Sequence, residues 1–291
     1  MDILTNYTFQ IVALGSVILA VAAAPVGAFS VYKGQSLIGD AIGHSTFPGI
    51  ILAYMAFATR SPVILLAGAI LAGAASYALI QLAHRDKRLG LDANLAIFLS
   101  GFFGLGMALK SFIQGNPDYA GASQAGLGTY IFGQAAYMLE ADVLLIAVVS
   151  ALVLTLLLLF YKELKLFVFD AEYAEVVGLP CRLLNLLLLV MTIAVIGIGI
   201  KAVGAILISS FLIIPCVAAN QWSNNFVRVL LLSSLIGAVS ALVGTYISTL
   251  EQGMSTGPSI ILVASLIAFF SIVFGTKGIL GRVLKRRGTH G

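Results

Sequence analysis

Residues 141–161 read ADVLLIAVVSALVLTLLLLFY, and no charged residue interrupts this run from Val143 onward. An α-helix needs about 20 predominantly apolar residues to cross the hydrocarbon core of a membrane. Similar stretches recur along the chain and predict nine spans, at 8–32, 36–58, 62–83, 92–110, 141–161, 182–200, 202–220, 228–249 and 257–276. Eight spans result if one of these segments is re-entrant. In lipid each backbone polar group has to be paired within its own segment, so the sequence predicts an all-α polytopic membrane protein.

The composition of the whole chain points to the same class. The 291 residues are 60% hydrophobic and only 10% charged, whereas a soluble domain carries about 25% charged residues. This excludes a secreted disulfide scaffold, a nucleic-acid-binding domain and a water-soluble enzyme. Cys181 and Cys216 lack metal-ligand spacing and are predicted to be small buried residues. We expect a single transmembrane domain over residues 1–291, with no permanently bound cofactor and no nucleic-acid partner.

The placement of the basic residues predicts the orientation of the chain. With the N-terminus outside, thirteen Lys and Arg side chains fall on the cytoplasmic side, and only Arg60, Lys110 and Lys201 fall outside. Cytoplasmic loops of membrane proteins carry such an excess of Lys and Arg. The sequence therefore predicts an external N-terminus and a cytoplasmic C-terminus with a basic tail at 277–291. Residues 111–139 then lie on the outer side.

The longest cytoplasmic connection, the 162–181 segment, has a pattern unlike that of a simple loop. Asp170 is placed as an N-cap, Glu172 and Glu175 follow it, and Gly178 precedes a proline that stops the helix. The pattern predicts a short amphipathic helix on the cytoplasmic side. Its exposed aromatic and apolar residues, Tyr173 among them, suggest docking to a soluble partner, and the alternative is a solvated connector.

Two ionisable residues lie within the second predicted span, where each costs at least a few kcal/mol. Asp40 and His44 are four residues apart, so on a helix they share one face. A carboxylate and an imidazole form a ligand pair suited to Mn²⁺, Zn²⁺ or Fe²⁺. Gly39 and Gly43 allow close helix approach, and Pro48 frees a backbone carbonyl. The combination favours a cation pathway, to which waters or a second copy of the helix would add ligands.

The simpler alternative is that Asp40 and His44 only bind each other or a neighbouring helix. We place Phe47, Pro48 and Pro215 along the pathway or its gate, because prolines interrupt both the second and the seventh spans and broken helices recur at transport sites. On its own, the stretch around Pro215 is typical of ordinary tight helix packing. No Walker A, GxSxG or HExxH motif occurs in the chain. Energy for active transport therefore has to come from a partner or an ion gradient.

Three ordered motifs carry a resemblance to a known family. QSLIGDAIGH at 35–44, followed by Pro48 and Gly49, resembles the GDAxSHxxxPG signature of the membrane permeases of ABC-type manganese, zinc and iron importers, the ABC-3 group. Residues 169–178 resemble its FDxExAxxxG cytoplasmic segment, and residues 204–219 its GxLLxSxxLxxPAxxA helix.

The resemblance covers roughly residues 10–277 and implies a function. Asp40 and His44 would coordinate the transported ion, and 169–178 would be the coupling helix seated on a cytoplasmic ATPase subunit. It also implies an extracytoplasmic metal-binding protein and a second permease chain, either a copy or a paralogue. We therefore expect an ABC importer permease for Mn²⁺ or Zn²⁺, with Fe²⁺ as a further candidate, in a prokaryotic cell membrane. The alternatives are a proton-coupled metal transporter and, less consistent with the ligand set, an intramembrane metalloprotease.

Overall fold

The computed structural model describes residues 6–59, 61–84, 90–116, 119, 138–250 and 254–280. Within these ranges the chain forms eleven α-helices and no β-strand, which confirms the all-α class. The helices are α1 (Tyr7–Tyr32), α2 (Ile38–Phe57), α3 (Pro62–His84), α4 (Leu91–Gly115), α5 (Glu140–Leu159), α6 (Tyr161–Phe169), α7 (Ala171–Val176), α8 (Cys181–Val203), α9 (Ala205–Asn220), α10 (Phe226–Leu250) and α11 (Thr256–Phe274).

Each predicted span coincides with one helix, but the helices are not equally suited to crossing a membrane. Seven are long and apolar enough, namely α1, α3, α4, α5, α8, α10 and α11. Helix α9 has only 16 residues, and α2 carries Asp40, His44, Ser45 and Thr46 in its first half. The chain is thus a multi-pass membrane protein. The nine-span count and the orientation stay predictions.

Two helix boundaries differ from the predicted ones. Helix α5 ends at Leu159, because Phe160 leaves helical geometry (φ −100°, ψ 20°), and α6 begins at Tyr161. The first part of the 162–181 segment is therefore helical rather than a loop. Helix α4 continues past Lys110 to Gly115, since a lysine can extend its charged end along the helix towards water and does not stop it.

Some predicted features lie partly outside the described residues. These are Arg60, most of 111–139 and the basic tail at 277–291, of which only residues up to 280 are described. The side chain of Lys201 also lies outside them.

The centre of the bundle forms where α9 packs against α1 and α2. A Cβ atom at Gly27 of α1 would lie 1.9 Å from the carbonyl oxygen of Leu212 in α9. One at Gly39 of α2 would lie 2.6 Å from a methyl group of the same leucine. At Gly27 the contact is with backbone, so only glycine admits α9 there, whereas at Gly39 the leucine side chain would have to shift. This packing brings α9 beside the first turn of α2.

A serine compensates for the proline inside α1. Pro25 has no N–H group, so the carbonyl of Val21, four residues earlier, loses its helical donor. The Ser234 hydroxyl on α10 donates a hydrogen bond to that carbonyl at 3.2 Å. Such re-pairing by a neighbouring helix is what makes proline tolerable in a membrane helix.

The close contact at Gly27 gives a stability prediction. Gly27→Ala is expected to destabilise the protein by about 1–3 kcal/mol, because the new methyl group overlaps the Leu212 carbonyl. Gly101→Ala in α4 is the matched control, since its Cβ meets nothing within 4 Å, and alanine favours a helix over glycine by up to about 1 kcal/mol. Thermal unfolding in detergent should show a lower midpoint for the first variant only. Equal midpoints would contradict the packing described here.

Candidate metal-binding site

Asp40 and His44 lie on one face at the beginning of α2. Asp40 is in the first turn of the helix, and His44 follows one turn later. The side chains are 31% and 18% exposed, so the pair is partly accessible. Partial positive charge at a helix N-terminus favours a carboxylate in the first turn. The position of Asp40 near the helix end, rather than at its centre, lowers the cost of keeping it ionised.

The distance between the two donor atoms is informative. His44 Nε2 lies 3.4 Å from Asp40 Oδ1, longer than the roughly 2.7–3.2 Å of an ordinary N–H···O hydrogen bond. Two ligand atoms that are each about 2.1 Å from a tetrahedral metal ion lie about 3.4 Å apart. The two side chains interact directly with each other in this structure, and their donor atoms also have the separation of two ligands of one ion.

Helix α9 contributes a polar contact to this pair. The side chain of Ser209, itself 7% exposed, forms a hydrogen bond with the Asp40 carboxylate. This contact agrees in part with the alternative that Asp40 is bonded to a neighbouring helix. It leaves further lone pairs of the carboxylate available, because two carboxylate oxygens together offer about four acceptor positions.

Helix α4 forms an aromatic wall beside His44. The Phe103 ring lies edge-to-face on the imidazole, with centroids 4.9 Å apart, and Phe47 lies 6.4 Å from Phe103. A Cβ atom at Gly106 would lie 2.5 Å from the Phe47 ring and 3.1 Å from Pro48. Helix α4 thus packs closely against α2 beside His44.

The opposite face of α2 carries polar groups that are satisfied within the protein. Ser45 donates to the carbonyl of Ala41 at 2.6 Å and pairs with Ser76 of α3 at 2.7 Å. Thr46 donates to the carbonyl of Gly43 at 2.6 Å. The two faces of α2 thus differ, since one is bonded into the bundle and the other presents Asp40 and His44.

The ligand set is small. Among the described residues, no group of three or more His, Cys, Asp and Glu side chains comes together. One more oxygen is the backbone carbonyl of His44 itself, because Pro48, four residues later, has no N–H group to donate to it. Any metal ion bound here would complete its coordination with water, backbone oxygen or a second chain.

The 162–181 segment folds as its sequence predicts from Asp170 onward. The Asp170 side chain accepts a hydrogen bond from the Tyr173 amide at 2.9 Å, which confirms it as the N-cap of α7. At the other end, the Gly178 amide donates to Glu175 O and the Leu179 amide to Ala174 O. This is a Schellman motif, and the φ of +87° at Gly178 explains why glycine is placed there.

Most of α7 faces away from the protein. Ala174 is fully buried, whereas Tyr173 is 55% and Val176 84% exposed. Phe169 and Val177, on either side of the helix, are also exposed. Helix α7 is thus held at both ends and shows apolar side chains on its outer face; its docking role stays a prediction.

The structure brings together only some of the predicted site residues. Asp40, His44, Phe47 and Pro48 all lie in α2, between its first turn and its middle, with Phe47 and Pro48 buried. Pro215 is buried in α9, but Ser209 is the residue of that helix that bonds to Asp40. The pathway and gate roles of Phe47, Pro48 and Pro215 stay predictions.

Two neighbours of the site escaped the sequence analysis. Ser209 belongs to a Ser-Ser pair in an otherwise apolar helix, and this pair was an available signal. The sequence contains no such signal for Phe103, because it is one of several apolar residues of α4 and only the helix packing places its ring on the imidazole.

The structure combines long apolar helices, a carboxylate–imidazole pair at the start of α2 and a capped, exposed helix between two others. These features are those expected of a membrane permease. Comparison with known proteins identifies the family. The ABC 3 transport family model matches residues 5–275, and the chain belongs to this family. It is a metal ABC transporter permease, a subunit that is not itself catalytic.

Individual relatives support this membership. The chain is 38% identical to the zinc transport system membrane protein TroC of Treponema pallidum, covering 99% of this chain and 96% of that protein. It is also 38% identical to the manganese transport system membrane protein MntC of Bacillus subtilis, covering 92% of this chain and 61% of that longer protein. The solved structure of PsaBC from Streptococcus pneumoniae in complex with a Fab is similar, with a TM-score of 0.83, 27% identity and coverage of 98% and 96%.

Proposed function

We propose that this permease imports a divalent transition-metal ion, Mn²⁺ or Zn²⁺, and that Asp40 and His44 bind the ion on its way through the membrane. The observation that carries the proposal is the 3.4 Å separation of His44 Nε2 and Asp40 Oδ1 on one face of α2. Nitrogen and oxygen donors together suit first-row divalent ions. Relatives named as zinc and manganese transport proteins support the same substrate class.

The types of ligand at this site do not determine whether the transported ion is Mn²⁺ or Zn²⁺. Affinity for first-row ions follows the ion more than the site, and the named relatives include both a zinc and a manganese system. A two-residue site with water or carbonyl oxygen as further ligands accommodates tetrahedral zinc and octahedral manganese alike. Selection is then a property of the protein that delivers the ion.

We infer three partners for this activity. A cytoplasmic ATPase subunit docks on the exposed surface of α7, and an extracytoplasmic binding protein delivers the ion. A second permease chain, a copy or a paralogue, completes the pathway, because two side-chain ligands are too few to hold an ion alone. The resident membrane is the plasma or inner membrane of a prokaryote, with the N-terminus outside.

Transport by reconstituted vesicles tests this proposal. The permease is assembled with its ATPase subunit, and uptake of Mn²⁺ and Zn²⁺ is measured with ATP, with a non-hydrolysable analogue and with a pH gradient alone. We expect uptake only with ATP. Uptake driven by the pH gradient in vesicles that contain this chain alone would instead identify a proton-coupled transporter, with Asp40 and His44 as the proton relay.

A further inference from the structure

A lysine at the end of α1 joins the 162–181 segment to the rest of the bundle. Lys33 is the C-cap residue of α1, and its ammonium group lies 4.8 Å from the ring centroid of Phe167 in α6. The Phe167 ring is 7% exposed, so the contact is largely shielded from water. A cation over an aromatic ring is attracted more strongly when both are desolvated.

The same ammonium group begins a chain of hydrogen bonds. Lys33 Nζ donates to Asn185 Oδ1 in α8. Asn185 Nδ2 donates to the Tyr77 hydroxyl of α3 at 2.8 Å, and Gln81 Nε2 donates to that hydroxyl at 2.7 Å. Lys33 therefore contacts α6 and α8 directly and α3 through one amide.

The charge of this lysine is retained near neutral pH. Burial lowers the pKa of Lys33 to about 8, so the side chain is mostly protonated at pH 7. Its hydrogen-bond partner in α8 is an amide rather than a carboxylate.

A cavity lies between this cluster and the start of α2. It is small, with room for about one water molecule, and is lined by Tyr77 and Asn185 together with Ile38 and Ile42 of α2. With 100° per residue, Ile38 and Ile42 face away from Asp40 and His44. The first two turns of α2 thus have the candidate metal site on one face, and on the other face they have Ile38 and Ile42, buried beside this small cavity.

We propose that Lys33 is a positioning residue, which transmits movement of α6 and α7 to the first turns of α2 through Phe167 and Asn185. Only four residues separate Lys33 from the start of α2 at Ile38, so a shift of Lys33 is passed on along the chain. Ile38 and Ile42 of α2 line the same small cavity as Tyr77 and Asn185, which gives a second connection from this cluster to α2. This inference rests on the proposed function, because it assigns to Lys33 the coupling of ATP hydrolysis to the metal site.

The test uses the permease–ATPase complex in vesicles, with Mn²⁺ uptake and ATP hydrolysis measured in the same sample. Lys33→Met is expected to lower the number of ions transported per ATP about tenfold, because hydrogen bonds to charged groups are stronger than neutral ones. Lys33→Arg should retain most of the ratio, since a guanidinium also donates to an amide and stacks on a ring. Lys110→Met in α4 removes the same charge far along the sequence and should leave the ratio unchanged.

A second variant tests whether the effect of Lys33→Met is due only to a folding defect. Tyr77→Phe keeps the ring and removes the hydroxyl that accepts from Asn185 and Gln81, so it should lower the same ratio to a smaller extent. The amount of co-purified ATPase and the affinity for Mn²⁺ at rest should not change, whereas a merely structural role would alter them. Combined with Lys33→Met, its effect should be less than additive.

The outcomes separate this inference from the proposed function. Wild-type vesicles that take up no metal with ATP would contradict the proposed function itself. Wild-type uptake together with an unchanged ion-to-ATP ratio in Lys33→Met, or in Tyr77→Phe if the former does not assemble, would overturn only the role of Lys33.

Discussion

Asp40→Asn is expected to reduce metal uptake at least about 100-fold, since removing even an outer partner of a metal ligand typically costs 10–100-fold. The substitution keeps the size of the side chain and its contact with Ser209 but removes the negative charge that offsets the charge of the ion. His44→Ala should be equally severe, because it removes the nitrogen ligand. Uptake of Mn²⁺ and Zn²⁺ by vesicles that contain the permease and its ATPase is the measurement.

The control for both variants lies on the other face of the same helix. Thr46→Val removes a polar group of similar size that bonds only to the carbonyl of Gly43, so uptake should stay close to that of the wild type. Assembly and basal ATP hydrolysis should persist in all three variants. Wild-type uptake in Asp40→Asn or His44→Ala would mean that the ion does not bind at this pair.

Ala174→Pro is expected to uncouple the permease from its ATPase. The Ala174 amide donates to Asp170 O at 3.0 Å, and the residue is fully buried. Proline removes this bond and collides with the preceding turn, at a cost of about 3 kcal/mol or more in a helix interior. Helix α7 has six residues, so the change should unfold it. Co-purification of the ATPase and ATP-driven uptake should both be lost.

A proline at the other end of the same helix is the matched control. Ala171 is the first residue of α7 and is exposed, and proline is favoured at this position. Ala171→Pro should therefore keep both co-purification and uptake. Val176→Asp, which changes the 84% exposed side chain without breaking the helix, should weaken co-purification if the surface of α7 is the contact. Unaltered transport in Ala174→Pro would refute the docking role.

The sequence was most informative where local chemistry decides the structure. Runs of apolar residues marked each long helix, and the Asp170 cap and Gly178 stop defined α7, because capping depends on residues close in sequence. Likewise, the four-residue spacing of Asp40 and His44 placed them on one face before any packing was known.

Packing decided what the sequence left open. Ser209 and Phe103 reach the site from helices that are distant in the sequence. The pattern of apolar residues in α9 and α4 does not show which face of each helix packs against α2. The helical character of 161–169 was missed because a charged stretch after an apolar span resembles a loop, although α6 packs Leu164 and Phe167 inward. The contact of Lys33 with Phe167 and Asn185 joins three separate parts of the chain, so it could not be predicted from the sequence either.

Anomalous X-ray diffraction at the zinc edge, from the permease–ATPase complex loaded with Zn²⁺, tests the central proposal most directly. The proposal predicts a zinc peak within about 2.0–2.2 Å of a carboxylate oxygen of Asp40 and an imidazole nitrogen of His44, and no such peak in Asp40→Asn crystals. A zinc peak elsewhere in the membrane region, with Asp40 and His44 bound only to each other and to Ser209, would contradict it.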